Sequence, residues 1–112
     1  MKYTEGLKKN DDFRTVYKTG RAKSHPLFIL YVKENGTESN RLGVVVSKKI
    51  GNSVVRHRVK RLVKETYRLN EERFKRGYDL VFVARVPAKE AGFYEIEEAQ
   101  LFLMRKQDLL DI

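Results

Sequence analysis

Residues 41–70, RLGVVVSKKIGNSVVRHRVKRLVKETYRLN, carry the decision about the fold. Residues 41–47 are apolar and β-branched around Val44, Val45 and Val46, which suits a strand. Lys48 to Gly51 interrupts that run, and Asn52 or Ser53 stands where a cap is needed for a long helix ending near Asn70. Beyond Gly77, residues 78–83 (YDLVFV) begin a further strand. Strand, long helix and strand in that order predict a crossover between parallel neighbours.

Upstream, residues 27–33 follow Pro26 and are rich in β-branched and aromatic side chains, while Asn35-Gly36 is a turn signal. Together with residues 41–47 they predict a hairpin. Nearer the N-terminus, Asn10 is placed to cap a helix of about nine residues, with Asp11 and Asp12 at its positive end and Gly20 in a left-handed position at its close. Phe13, Val16 and Tyr17 then share one face. Downstream of Pro87, the helical spacing of Phe93, Ile96, Ala99, Leu103 and Leu110 predicts a closing helix. The expected architecture is α+β in two layers, a mixed sheet of about four strands with three helices, forming a single domain over residues 1–112.

Composition narrows the function. The 112 residues include 24 Lys and Arg against 15 Asp and Glu, a formal charge of +9, with 41% hydrophobic residues. A foldable basic chain looks for polyanions. The absence of cysteine excludes disulfides, iron–sulfur clusters and thiolate nucleophiles, and with only His25 and His57 a structural zinc site is not expected. The longest apolar run, residues 27–32, is far below the roughly 20 residues that span a bilayer, and the start MKYTEG has no signal-peptide core. A cytosolic, membrane-free protein is expected.

The charge is concentrated. Residues 48–68 hold Lys48, Lys49, Arg56, Arg58, Lys60, Arg61, Lys64 and Arg68 against Glu65, a net +7 that leaves +2 for the other 91 residues. At 100° per residue, Val55, Val59, Leu62, Val63 and Thr66 fall on one arc of the helix. His57, Lys60, Arg61, Lys64 and Arg68 fall on the opposite arc, with Arg56 and Arg58 on the flanks. A charged face can simply be solvated, but solvated helices usually mix signs at i, i+4, and here the cations meet almost no carboxylate. Lys48, Lys49 and the helix N-terminus near Asn52 and Ser53 also converge where a phosphate could dock.

The apolar arc is short Val and Thr, suited to packing on a sheet and not to entering a membrane. Lys and Arg grip phosphates without reading bases, so DNA is not the expected partner and RNA of defined shape fits better. Residues 27–32 are apolar on both faces, so one face is expected to be only partly covered. There Phe13, Tyr17, Ile29 and Tyr31 form either ordinary core or a groove in which unpaired bases stack. No paired carboxylates or Ser/His/Asp arrangement has the spacing for catalysis, and residues 48–53 do not match a nucleotide-binding P-loop.

The stretch from Ser47 to Lys64, SKKIGNSVVRHRVKRLVK, closely resembles the signature of the protein subunit of bacterial ribonuclease P, a box reading Arg-Asn-Arg, any residue, Lys-Arg, two residues and a basic one. The resemblance extends over Leu7-Lys8-Lys9-Asn10-Asp11-Asp12-Phe13, Phe28 to Tyr31, Arg41-Leu42-Gly43, Val83-Ala84-Arg85 and Pro87-Ala88. It implies a ribonucleoprotein that removes the 5′ leader from precursor tRNA with an RNA subunit as catalyst, the protein being a non-catalytic partner. It further implies that the box, carried over to Arg56, Arg58, Lys60, Arg61 and Lys64, faces the RNA subunit, and Lys48, Lys49, His57 and Arg68 of the same basic stretch are expected to join that contact. The leader would lie against Phe13, Tyr17, Ile29 and Tyr31, and Mg2+ would be held chiefly by RNA and substrate phosphates; the resemblance names no residue of this chain as a metal ligand. The resemblance also implies a left-handed βαβ crossover, similar to the second domain of a small-subunit ribosomal protein, against the usual right-handed rule. His57 departs from the Asn usual in the box. A ribosomal or other structural RNA-binding protein is the alternative, followed by a stand-alone nuclease using His57.

Overall fold

The computed structural model describes residues 1–111. Five strands, β1 (Thr4–Gly6), β2 (Arg21–Ser24), β3 (Phe28–Glu34), β4 (Asn40–Val45) and β5 (Tyr78–Ala84), make one sheet in the order β1-β4-β5-β3-β2. Three helices accompany it: α1 (Asn10–Thr19), α2 (Ser53–Asn70) and α3 (Phe93–Lys106). The class is α+β with a mixed sheet, as expected. The strand count is five and not about four, because β1 and β2 are only three and four residues long and show no apolar alternation.

β4 and β5 are parallel neighbours, with Leu42 opposite Leu80 and Val44 opposite Phe82, and α2 connects them. The predicted crossover is therefore present. The predicted hairpin is not: β3 and β4 never pair, because β5 lies between them, antiparallel to β3. The reason is the composition of β5. Leu80, Val81, Phe82 and Ala84 are all buried, so this strand has no face for water and takes the centre of the sheet. Residues 35–39 accordingly form a wide loop in place of a two-residue turn. Asn35 organises it, accepting from the Thr37 N–H at 2.9 Å and donating to the Ser39 carbonyl at 3.0 Å.

Alternation along β3 divides its side chains between two cores. Phe28, Leu30 and Val32 join Leu42, Leu80 and Phe82 beneath α2 and α3, against Val59, Val63, Tyr67, Ile96, Ala99 and Leu103. The opposite face carries α1 alone. Its small buried cluster is Leu7, Val16 and Val81, with Phe13, Tyr31, Val45 and Val83 only partly buried around it. One face is thus incompletely covered, as expected.

Three local expectations change. Lys9, not Asn10, occupies the α1 N-cap, and it makes no side-chain capping bond. Gly20 is extended (φ −83°, ψ 170°) and not left-handed. Its lack of a side chain serves close approach, since a Cβ there would lie 2.5 Å from the Val16 carbonyl oxygen and 2.7 Å from that of Val32. Leu110 lies beyond the end of α3 and bridges to Phe74.

Candidate nucleic-acid interface

The basic helix begins as its sequence dictates. Asn52 Oδ1 accepts from the Val55 N–H at 3.0 Å, satisfying one of the free amides of the first turn, a contact worth about 1 kcal/mol at such caps. The preceding turn is closed by the Ile50 N–H on the Ser47 carbonyl at 3.0 Å, and burial of Ile50 leaves Lys48 and Lys49 exposed beside the helix start. Val59, Val63 and Thr66 are buried, whereas His57, Lys60, Arg61, Lys64 and Arg68 are exposed. The predicted division between core arc and cationic ridge holds.

Two depressions lie along the ridge. Ser53, Val54, His57, Arg58 and Arg61 line one. Met1, His57, Lys60, Arg61, Lys64, Glu65 and Arg68 line the other, so His57 and Arg61 face both.

The flanking arginines are half-buried and partly engaged. Arg58 Nη2 donates to the Ala91 carbonyl at 3.1 Å, fixing α2 to the loop before α3, while Arg56 Nε is buried with no protein partner. Arg68 is a correction to the picture of an unpaired ridge, because its Nε and Nη2 both donate to the Glu65 carboxylate. That hydrogen bonding holds Glu65 below its usual carboxylate range. It also engages the carboxylate nearest to His57 in the sequence. Lys60, Arg61 and Lys64 form no ion pair among the described residues.

The aromatic residues come together on the other face of the sheet. The Tyr17 and Tyr31 rings meet edge to face at 4.9 Å, and Phe13 lies 6.5 Å from Tyr17. Ile29 and Tyr31 are half-buried on the same side of β3, and Tyr17 is 40% exposed. Phe13 is the most core-like of the four. Its ring rests on Gly43, where a Cβ would stand 2.5 Å from a ring carbon, so only glycine allows α1 this close to β4. Burial, assisted by Tyr31, raises the Tyr17 phenol above its usual value. β4 carries Val45 into this cluster and leads within three residues to Lys48.

Arg41 is a positioning residue for α1 that no local sequence pattern marks. Its Nε and Nη2 donate to Asp79 at 2.8 and 2.6 Å, and its Nη1 donates to Asp12 at 3.1 Å. It therefore ties the first turn of α1 to β4 and β5 and sets where the aromatic face of α1 stands over the sheet. Asp79 is 4% exposed and also accepts from Asn35 Nδ2 at 3.1 Å. No local signal announces this cluster, since Asp12, Arg41 and Asp79 are scattered along the chain. His25, by contrast, is a local turn residue: Nδ1 accepts from the Leu27 N–H at 3.0 Å and its ring meets Phe102 at 5.3 Å.

Residues 1–108 match the family model described as Ribonuclease P. The ribonuclease P protein component of Alkaliphilus metalliredigens (strain QYMF) is 54% identical over 110 residues, covering 98% of this chain and 99% of that protein. That of Clostridioides difficile (strain 630) is 45% identical over 107 residues, covering 95% and 94%. Among solved structures, the Staphylococcus aureus RNase P protein superposes with a TM-score of 0.87 at 30% identity, over 95% of this chain and 97% of that one. The RNase P protein from Thermotoga maritima gives 0.84 at 29% identity, over 91% and 96%.

Proposed function

The chain belongs to the ribonuclease P protein family, and we propose that within this family its α2 ridge holds the RNA subunit while the groove under α1 holds the single-stranded leader of precursor tRNA. As the protein component of that ribonuclease it assists the RNA subunit in removing the 5′ leader of tRNA. The chain acts by binding and screening charge, not as the catalyst, and serves as one RNA-binding domain with no role on DNA or membrane. Among the described residues no helix is long and apolar enough to cross a membrane. The proposed place of work is the cytoplasm, where precursor tRNA is processed.

The observation that carries this reading is the exposed row Lys60, Arg61 and Lys64, without ion-pair partners among the described residues, on a protein whose opposite sheet face carries a half-covered aromatic cluster. Unpaired cations on one helix face repel one another, and phosphates relieve that repulsion while releasing counterions. In the groove, Tyr17, Tyr31 and Ile29 offer sequence-tolerant stacking surfaces, which suits leaders of varied sequence. Magnesium is proposed to be held chiefly by the RNA. Among the described residues no three His, Asp or Glu side chains gather to hold a metal ion, and the ridge repels cations. RNA phosphates are the proposed ligands.

The test is reconstitution. The chain, a bacterial ribonuclease P RNA and a precursor tRNA are mixed at low magnesium, with protein-only and RNA-only controls, and cleavage at the mature 5′ end is measured. Cleavage restored only in the full mixture is expected. Cleavage by the protein alone would overturn the non-catalytic role, and RNA binding without rescue would favour a structural RNA-binding protein.

A further inference from the structure

At the edge of the sheet away from the ridge, four cations from separate parts of the chain meet. Arg21 and Lys23 come from β2, Lys75 from the approach to β5, and Lys106 from the last turn of α3. Together with Tyr78 and Gln107 they line one depression whose acidic member is Asp108. Asp108 is 96% exposed, and its carboxylate stands 3.8 Å from Lys75 Nζ.

Two ordinary roles account for part of this cluster. Lysine and arginine on an edge strand discourage strand addition, and a cation in the last turn of a helix complements its dipole. Neither role explains Lys75, nor the way the depression is built. Gln107 is 3% exposed, and its Nε2 donates to the Arg21 and Leu30 carbonyls at 2.9 and 3.0 Å, while its Oε1 accepts from Arg21 Nε at 3.4 Å. A buried amide thus clamps the edge strand to the end of α3 and orients the arginine. Tyr78, half-buried beside them, adds a ring and a hydroxyl to the cationic surface.

We infer that Arg21, Lys23, Lys75, Tyr78 and Lys106 form a second phosphodiester-binding surface, which takes the backbone of an RNA strand. It rests on the reading of the chain as an RNA partner in ribonuclease P and goes beyond the ridge and groove assigned there. The ridge reaches the β1 edge, where Lys64 shares a depression with Thr4, Gly6 and Leu42. The second surface lies at the β2 edge, the far end of the strand order, in a molecule measuring 36 × 31 × 23 Å. With both occupied, RNA backbone is held at both edges of the sheet, in addition to the leader under α1. The RNA at the β2 edge is either a segment of the RNA subunit or the body of the precursor, and the two are separable.

The experiment uses the full chain, ribonuclease P RNA and precursor tRNA over a salt series. One arm measures binding of the chain to the RNA subunit, and the other measures binding of precursor to the assembled particle. The Lys23→Gln/Lys106→Gln pair is expected to reduce the slope of log K against log salt by about 1.5 to 2 in one arm, the loss of two phosphate contacts. Loss in the first arm assigns the surface to the RNA subunit, and loss in the second assigns it to the precursor. Asp108→Asn removes a competing carboxylate and is expected to tighten binding in the same arm. Wild-type slopes for the double variant and an unaltered affinity for Asp108→Asn would overturn the proposal. Thermal melts check folding. If the double variant fails to fold, Asp108→Asn decides alone. A wild-type chain that binds neither RNA would overturn the ribonuclease P reading as well, so the two failures are distinct.

Discussion

Arg41 determines how firmly α1 is held over the sheet, because it neutralises a carboxylate with almost no access to water. Arg41→Ala leaves Asp79 buried and unpaired and is expected to cost about 3 kcal/mol of stability, read from urea unfolding. The Arg41→Met/Asp79→Asn pair removes the charge as well as its partner and should lose less than the single variant. Equal losses would show that the stranded carboxylate is not the source. His25 provides a pH dependence. Burial lowers its pKa below the ordinary 6.5, an effect that outweighs the opposing attraction of Glu98. The unfolded chain therefore binds more protons here than the folded one, and stability is lost as the pH falls below about 6.5. Protonation at Nδ1 would also end its acceptance from the Leu27 N–H. The thermal midpoint is expected to fall between pH 7.5 and 5.5, and His25→Asn, which retains an acceptor at that point, should flatten the decline. An unchanged decline would assign it to other groups.

At the scale of the element, α2 sets stability and binding against each other. Lys60 has only Arg56, His57, Val63 and Lys64 as its i±3 and i±4 neighbours, so no carboxylate on its own helix supports it. Lys60→Ala should leave the thermal midpoint equal or slightly raised, while lowering the salt slope for RNA-subunit binding by about 0.9. A lowered midpoint with an unchanged slope would make Lys60 structural and remove it from the interface. Arg58 differs from Lys60 because its bond to the Ala91 carbonyl makes truncation a structural lesion too. Much of α2 was legible in residues 48–70 because capping, periodicity and charge segregation act within a few residues of each other. The Arg68–Glu65 pair was less legible, because Arg61 at i−4 and Arg68 at i+3 both stand within one turn of Glu65 and spacing alone does not choose between them.

On the scale of the whole molecule, the aromatic cluster proposed to hold the leader stays partly open because three helices are shared unequally between two faces of one sheet. Tyr17 is the cleanest probe of it, being exposed at its lip, whereas Phe13 is seated on Gly43 and its loss would also disturb packing. In the assembled ribonuclease, Tyr17→Ala is expected to weaken precursors with long leaders by about 1 to 3 kcal/mol, the worth of one stacked base. Mature tRNA, which has no leader, should bind as before. Equal loss on both would place Tyr17 in the packing of α1. Phe13, Tyr17, Ile29 and Tyr31 were legible as one apolar cluster, but how much of it stays open depended on how many helices cover that face, and α1 covers it.

By itself, the sequence determined whatever is set by neighbours along the chain: the basic helix with its Asn52 cap, the parallel crossover around it, and the segregation of charge from core. Only the tertiary structure decided which strands pair, because β5 displaced the expected hairpin to bury its own apolar faces, a competition settled between segments more than thirty residues apart. The same holds for the Asp12–Arg41–Asp79 cluster and for the cations gathered at the β2 edge. Their members are distant in sequence, and electrostatics and packing act through space, so folding alone makes them neighbours.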